Sequence, residues 1–454
     1  MISNKKTRLY QFLRTLMYLA SRLFYKEVAI KYVAPLPKDK PIIFVGNHLC
    51  TFNDPILISV NTGLYPAFLT RADVFKKPLV RRFLTSIRML PIYRRRDCAD
   101  FIERNEAIFD TSIKQLEANL QFVIFGEGSH SSFRRLRGLK KGFARIGFEA
   151  LKRYSGEFEL YIVPVGVEYS HFAKMHQTVT QTFGRPILLK KYWPQYCENT
   201  NQALTVIKDE VSEALQKLVI HIPSQEHYYA VESLRIVARP WLYQHLGLET
   251  PDPHQKMNAE QQMIMAQTAF EKEEPDEMRQ FAQDIDQYHK ELERLNFRNH
   301  LIHNSTPSRL KLMGQFVLML PFFPLYLLGV ITGYLPYIIP VRFTNRTFKD
   351  VMFHGPINMV GGFVSFLSFW LLETLLVQLI WHNELITLGF ALLMPFSAWF
   401  AFRYWIQLKK WWHKWRYASF SKRKPEKMVE LKEAYERVIE KTEEMLEKYK
   451  APGD

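Results

Sequence analysis

Apolar positions in the first half of the chain fall into short runs separated by stretches of helical spacing. Residues 42–46, 67–70, 90–93, 122–125, 160–165 and 178–183 are β-rich runs of strand length. Between them, 101–120, 142–154 and 201–218 carry apolar residues every three to four positions, which predicts helices. Strand and helix alternating in this way predict an α/β fold, an αβα sandwich around a largely buried sheet over residues 34–223. Reactive groups are then expected at strand ends and in the loops that follow them.

Ahead of this region, within residues 1–33, Tyr10, Leu13, Leu16, Met17, Ala20 and Leu23 fall at helical spacing. Lys5, Lys6, Arg8, Arg14, Arg22 and Lys26 are spread among them rather than placed before them, which argues against a signal peptide. The pattern is an amphipathic helix, able to lie on a bilayer or to pack on its own domain. Residues 224–310 are charged and helical with little β-branched content, and read as a helical connector without chemistry of its own.

Three apolar stretches follow, at 312–339, 357–381 and 385–407, each long enough to cross a hydrocarbon core of about 20 helical residues. They make residues 311–408 a multi-pass membrane segment. The first is broken by Pro321, Pro324 and Pro336, the second holds Glu373 as its single acid, and the third holds none. Arg342, Arg346 and Lys349 lie between the first and second, and Lys409, Lys410, Lys414, Arg416, Lys422, Arg423 and Lys424 lie after the third. The intervening turn at 382–384 has no Lys or Arg. Three simple crossings would put the last basic cluster outside. A re-entrant first stretch followed by two full spans keeps both basic segments, and the α/β domain, on the cytoplasmic side. In the basic interfacial segment and charged tail at 409–454, Trp411, Trp412, Trp415 and Tyr417 continue from Trp405 as an interfacial belt. Glu and Lys then alternate over 427–450, as in a solvated helix.

Composition narrows the partners. The 454 residues carry a formal charge of +16, which suits anionic lipid, phosphorylated substrates or nucleic acid. The basic residues flank apolar stretches and no nucleic-acid-binding motif is present, so nucleic acid is set aside. A hydrophobic share of 47% excludes disorder. Three cysteines without CxxC spacing argue against a disulfide framework or a structural zinc, and fit a reducing compartment.

Candidate chemistry clusters at three strand ends. After 42–46 comes Asn47-His48-Leu49-Cys50-Thr51-Phe52-Asn53-Asp54-Pro55. Asp54-Pro55 reads as a helix start, with Asp as N-cap and Pro at the first helical position. His48 alone reads as a loop histidine. Together, a loop folded onto the helix start brings a carboxylate to an imidazole and leaves the other ring nitrogen free as a general base. The second end, Leu90-Pro91-Ile92-Tyr93-Arg94-Arg95-Arg96, offers guanidinium forks suited to phosphate, with Arg95 and Arg96 equally readable as a solvated rim. The third runs Phe125-Gly126-Glu127-Gly128-Ser129-His130, then Arg134, Arg135, Arg137, Lys140 and Lys141. Its glycines allow close backbone approach, and its cations offer further anion contacts.

These blocks, with Ile162-Val163-Pro164-Val165-Gly166-Val167 as a fourth, resemble the glycerolipid acyltransferase family, which includes glycerol-3-phosphate and lysophosphatidate acyltransferases. The resemblance covers roughly residues 10–218. It implies that His48 is the base and Asp54 its orienting carboxylate. It also implies that Arg94 holds the acceptor phosphate, and that Glu127, Gly128, Ser129 and Lys140 line the substrate site. The substrates implied are a glycerol phosphate acceptor and an acyl-CoA or acyl carrier protein donor, with membrane lipids as partners and no cofactor or metal. Five residues between His48 and Asp54, where most of the family has four, resemble the branch acting on glycerol 3-phosphate or dihydroxyacetone phosphate. Glu127-Gly128-Ser129-His130 and the following Leu139-Lys140-Lys141-Gly142 do so as well. Gly126 replaces the family's proline, which is expected to loosen that loop. Covalent catalysis through Ser129 or Cys50 is the rival chemistry, and a non-catalytic membrane lipid-binding protein is the rival function. Retention of His48, Asp54, Arg94 and Glu127 together argues against the latter.

Overall fold

The computed structural model describes residues 8–94, 97–304 and 307–449. Arg95 and Arg96 lie outside them, as do Lys5, Lys6 and Lys450. The chain divides into two compact units. The first is the chain up to His221 together with Thr344–Val360, and the second is Ile222–Phe343 with Gly361–Asp454.

In the first unit, helix α1 (Arg8–Phe24) leads into strand β1 (Glu27–Tyr32), followed by β2 (Ile42–Gly46), α2 (Asn53–Thr62), β3 (Ala67–Arg71), α3 (Pro78–Ser86) and β4 (Met89–Ile92). Then come α4 (Phe101–Glu117), β5 (Phe122–Phe125), α5 (Gly142–Arg153), β6 (Tyr161–Tyr169), β7 (Thr178–Phe183), β8 (Ile187–Leu188), α6 (Trp193–Glu198) and α7 (Thr200–Gln216). The strands form one mixed sheet in the order β1-β7-β6-β2-β5-β3-β4, with β8 on β6. β2 runs parallel to both β5 and β6, while β7 is antiparallel to β6.

Both faces of β2 are buried, as expected of a central strand covered by helices on each side. Ile43 and Val45 join Ile113, Leu116, Phe143, Ile146, Ala203 and Ile207 from α4, α5 and α7 in one core. On the other face Phe44 meets Phe183 edge-on. Phe183 stacks on Tyr32, whose hydroxyl donates to Asn61 O of α2. The result is an αβα sandwich.

One local expectation changes, and one left open is resolved. β1 joins the sheet by pairing with β7 along Glu27–Tyr32, so the sheet begins ahead of the 33/34 boundary. The mixed run Glu-Val-Ala-Ile-Lys-Tyr, on a sheet edge with only partial burial, carries a weak strand pattern. α1 packs on its own domain: Tyr10 bonds Ser59 and Pro66 O, and Arg14 donates to Ser59 O. Leu9, Phe12, Leu19 and Leu23 stay exposed along its other side.

In the second unit the connector forms α8 (Tyr228–Val237), α9 (Arg239–His245), α10 (Pro253–Glu273), α11 (Pro275–Arg294) and α12 (Asn299–His303). Asn299 ties it together, accepting from Tyr288 OH and donating to Val237 O, both at 2.6 Å. After it come α13 (Arg309–Met319), α14 (Phe323–Thr347), α15 (His354–Trp381), α16 (Glu384–Arg423) and α17 (Pro425–Lys448). α17 is not a free solvated tail. Its stripe Met428, Leu431, Tyr435, Val438, Met445 and Leu446 is buried, Tyr435 OH meets His303 Nδ1 at 3.1 Å, and Tyr449 OH donates to Glu274. The Glu/Lys alternation occupies only its outer face.

Three helical runs are long and apolar enough to cross a membrane: Arg309–Thr347, Val351–Trp381 and Glu384–Arg423. The first does not run straight. Trp411 Nε1 donates to Leu312 O, Tyr404 OH to Met319 O, and Gly329 lies against Ser397 and Ala401, so α13 and the start of α14 descend antiparallel to α16. α15 is also antiparallel to α16, with Trp370 on Ala391 O and Gln378 on Thr387. Pro340 meets Gly361, nine residues before Trp370 on α15, which sets it back at about the level of Ser397–Ala401. A straight run of 39 residues would cover about 58 Å and pass the 382–383 turn. Instead it bends between Gly329 and Pro340, a stretch that holds the internal Pro336.

Candidate active site

Parallel pairing of Gly46 with Phe125 sets the loops after β2 and β5 side by side at the carboxyl ends of their strands. In the first loop His48 Nδ1 lies 2.8 Å from Asp54 Oδ2. Asp54 is fully buried, and its carboxylate also accepts the Leu49 and Cys50 amides, at 2.9 and 2.8 Å, and the Tyr169 hydroxyl at 2.6 Å. Four donors offset the cost of burying this charge. A carboxylate on Nδ1 assigns the proton to that nitrogen and leaves Nε2 with its lone pair. Among the described residues no hydrogen-bond partner takes Nε2, and the side chain keeps 16% of its surface exposed. Phe125 stacks under the ring, centroids 4.2 Å apart.

The helix-cap reading of Asp54 is corrected. α2 begins at Asn53, so Asp54 lies inside its first turn, and Phe52 stands at the cap without a side-chain bond. The carboxylate turns back to the preceding loop, where the imidazole and two amides need an acceptor.

The second loop holds the first. Glu127 Oε1 accepts the His48 amide at 2.9 Å, and Oε2 accepts Arg137 N and Nε at 3.2 and 2.9 Å. Both oxygens serve protein donors, so Glu127 acts here by fixing the backbone of the imidazole. Gly126 does not leave the loop loose: its carbonyl takes the Lys140 amide at 2.8 Å, and Gly128 N–H donates to Phe125 O at 3.1 Å. Gly128 has φ +75°, which suits glycine. Since its N–H is engaged, Gly128 is not a ready oxyanion donor, and Val165 lies within the sheet between β2 and β7.

Arg94, at the end of β4, reaches the same loop, with Nη2 3.3 Å from Gly128 O. Gly128, Ser129 and Lys140 are exposed there. The basic run divides by task. Arg134 is buried in an ion pair with Glu168 and donates to Tyr169 O at 2.7 Å, so it is not an anion contact for a ligand. Arg137 is spent on Glu127 and Ser129, and Lys141 on Asn201.

The covalent alternatives find no activation. Cys50 is buried, and that burial pushes its thiol well above the usual range, with Asp54 adding to the effect. The Ser129 hydroxyl accepts from Arg137 at 2.8 Å, and the His130 Nε2 beside it is taken by Asp350.

Tyr169 and Asp350 are absent from the expected site. Tyr169 ends an apolar strand, where its sequence context reads as core, and Asp350 comes from a segment between apolar stretches.

The αβα sheet thus carries a histidine–aspartate pair at the carboxyl end of its central strand, a glutamate clamp from the loop after the adjacent β5, and an arginine after the edge strand β4. A family model described as Acyltransferase matches residues 27–168, less than half of the chain, and marks an acyltransferase domain there. The chain is 22% identical over 212 residues to an uncharacterized acyltransferase of Schizosaccharomyces pombe, a match covering 46% of this chain and 30% of that protein. The chain therefore spans about a third of that relative's length. Among solved structures, it is similar to the 1-acyl-sn-glycerophosphate (LPA) acyltransferase PlsC of Thermotoga maritima. The identity is 17% and the TM-score 0.33, over 46% of this chain and 83% of that one.

Proposed function

We propose that this acyltransferase moves a fatty acyl group from acyl-CoA or acyl carrier protein to the sn-1 hydroxyl of glycerol 3-phosphate. The product is lysophosphatidate for phospholipid synthesis, made at a membrane with the catalytic domain on the cytoplasmic side. The observation that carries this reading is the His48–Asp54 pair, with Nε2 unengaged beside an exposed opening. His48 takes the proton of the acceptor hydroxyl as its oxygen attacks the thioester carbonyl. Asp54 holds the tautomer and stabilises the imidazolium, and the thiol leaves with a proton returned from His48. A base of this kind contributes about 10²–10⁴-fold.

The thioester is already activated, so the chemistry asks for neither a metal nor a covalent enzyme intermediate. Arg94 and Lys140, beside the Gly128 turn, supply the cationic contacts for the acceptor phosphate. Glu127 and Gly128 shape the floor for the glycerol.

Purified protein supplied with labelled acyl-CoA or acyl carrier protein and a panel of acceptors tests this. Lysophosphatidate from glycerol 3-phosphate is expected to be the main product. Preference for dihydroxyacetone phosphate or for a lysophospholipid acceptor would replace the acceptor assignment, and no acyl transfer to any acceptor would overturn the activity.

A further inference from the structure

We propose that the strap at residues 348–355, at the junction of the first and second long apolar runs, forms one wall of the acyl-transfer site. Within it Asp350 is a positioning residue that fixes the His130 imidazole edge-on against His48. The proposal rests on the reading of His48 as the general base.

Three separate contacts dock the strap beside the catalytic loop, and a fourth bond shapes the strap itself. Asp350 Oδ2 meets His130 Nε2 at 2.7 Å across 220 residues of chain. Its Oδ1 accepts Met352 N–H at 2.9 Å and so caps the strap's own turn at Val351–Phe353. Thr51, three residues after His48, donates its hydroxyl to Met352 O at 3.2 Å. Gly355 lies so close to the loop after β6 that a Cβ there would stand 2.3 Å from Phe172 O, a clash with backbone that only glycine avoids.

These contacts fix rings around the base. His130 stands 5.8 Å from His48, centroid to centroid, at 84°. Phe353 meets His130 edge-on at 5.5 Å and Phe52 at 6.0 Å, and Phe348 stacks behind Phe353 at 5.6 Å. His48 therefore has Phe125 along one face and His130 standing across it. A hydroxyl must come within about 3 Å of Nε2 to lose its proton, and a misplacement of about 1 Å costs on the order of 10²-fold. Among the described residues Asp350 is the hydrogen-bond partner of the His130 ring, at the end of a turn whose Gly128 and Ser129 are exposed.

Asp350→Asn keeps the size and the capping oxygen, and the side chain is 47% exposed, so folding is retained. In the full-length protein it is expected to lower kcat at least tenfold with KM for the acyl donor within about twofold. Asp350→Glu should restore part of the loss. His130→Asn should show a similar loss, and the double variant should lose no more than either single one. Gly355→Ala displaces the strap without touching a charge, and should reproduce the kcat loss. Unchanged kcat in Asp350→Asn, losses that multiply in the double variant, or a fully active Gly355→Ala would each overturn the proposal. Failure of the underlying reading is recognised separately, as His48→Ala turning over normally, since the Asp350–His130 cycle is scored against wild-type turnover alone.

Discussion

Tyr169 donates its hydroxyl to Asp54 Oδ1 at 2.6 Å from the end of a strand 115 residues further along the chain. This bond fixes the carboxylate on the side away from the imidazole. Burial first, and the neighbouring Asp54 second, push the phenol well above its ordinary value, so it stays a donor throughout any assay range. Tyr169→Phe should cost about 1.5–3 kcal/mol of stability, the typical contribution of a hydrogen bond to a charged group. It should also lower kcat about tenfold by loosening Asp54, with the alkaline limb of the pH–rate profile unmoved. Wild-type kcat and melting temperature in the variant would show that the other three donors suffice.

His48→Ala should lower kcat by about 10²-fold or more in a folded protein. Asp54→Asn should be equally inactive and also unstable. Four donors converge on the carboxylate, and an amide turns an N–H₂ toward some of them, leaving buried groups unsatisfied. Circular dichroism separates the two effects. A stable Asp54→Asn variant with normal turnover would remove Asp54 from the mechanism.

Much of this site was legible because its parts lie next to one another in the chain. His48 and Asp54 share one loop, and Glu127 follows the strand that pairs with theirs. Strand 42–46 is apolar at every position up to Gly46, and glycine, proline and charge mark its ends. Tyr169 was not legible, since a tyrosine in an apolar strand reads as core until the sheet register shows what its hydroxyl reaches. Arg134 misled for the opposite reason: it stands in a basic run, and only its burial against Glu168 removes it from the anion site. The strap is farther from legibility still, because a contact between residues 130 and 350 is set by tertiary packing and leaves no local pattern.

Arg94 carries the phosphate assignment. Arg94→Ala should raise KM for the phosphorylated acceptor at least tenfold while leaving KM for the acyl donor nearly unchanged. Lys141, whose ammonium is engaged with Asn201 Oδ1 at 2.7 Å, is the control, and Lys141→Ala should be mild. Equal changes for both substrates in Arg94→Ala would move the phosphate elsewhere.

The connector has its own acid limit. Glu260 is buried, which by itself raises a carboxyl, yet Arg239 and Arg235 bring it down to about 2 from 4.5. A folded value below the unfolded one stabilises the fold above pH 4.5, and that contribution is lost as pH falls toward 2. The difference amounts to about 3 kcal/mol. Glu260→Gln should be less stable at neutral pH, because Arg235 and Arg239 lose the charge they share and buried Arg235 keeps only Glu232 as counter-ion, and should lose less on acidification. Parallel stability–pH curves for the variant and the wild type would contradict this.

The bend in the first apolar run makes a topological prediction. Leu312 and Met319 follow α16 downward from Trp411, while Pro340 is back beside Gly361, well short of the turn at 382–383. The two runs after it are each long and apolar enough to cross, are joined by a turn without Lys or Arg, and have basic clusters at the opposite end of both. Single cysteines at Asn345 and Ser421, in a background lacking Cys50, Cys98 and Cys197, should therefore both resist an impermeant thiol reagent in intact cells. A cysteine at Asn383 should react. Three straight crossings from a cytoplasmic domain would place Asn345 and Ser421 outside and Asn383 inside, so labelling at both with protection at Asn383 would exclude the bend as a membrane topology. The prolines that make the bend leave backbone carbonyls without helical partners, and each such group facing lipid costs several kcal/mol. Close approach of Gly329 to Ser397 and of Gly333 to Ala398 lets α16 cover that side, so substituting Gly329 by a bulkier residue should destabilise the bend and expose Asn345 to the reagent.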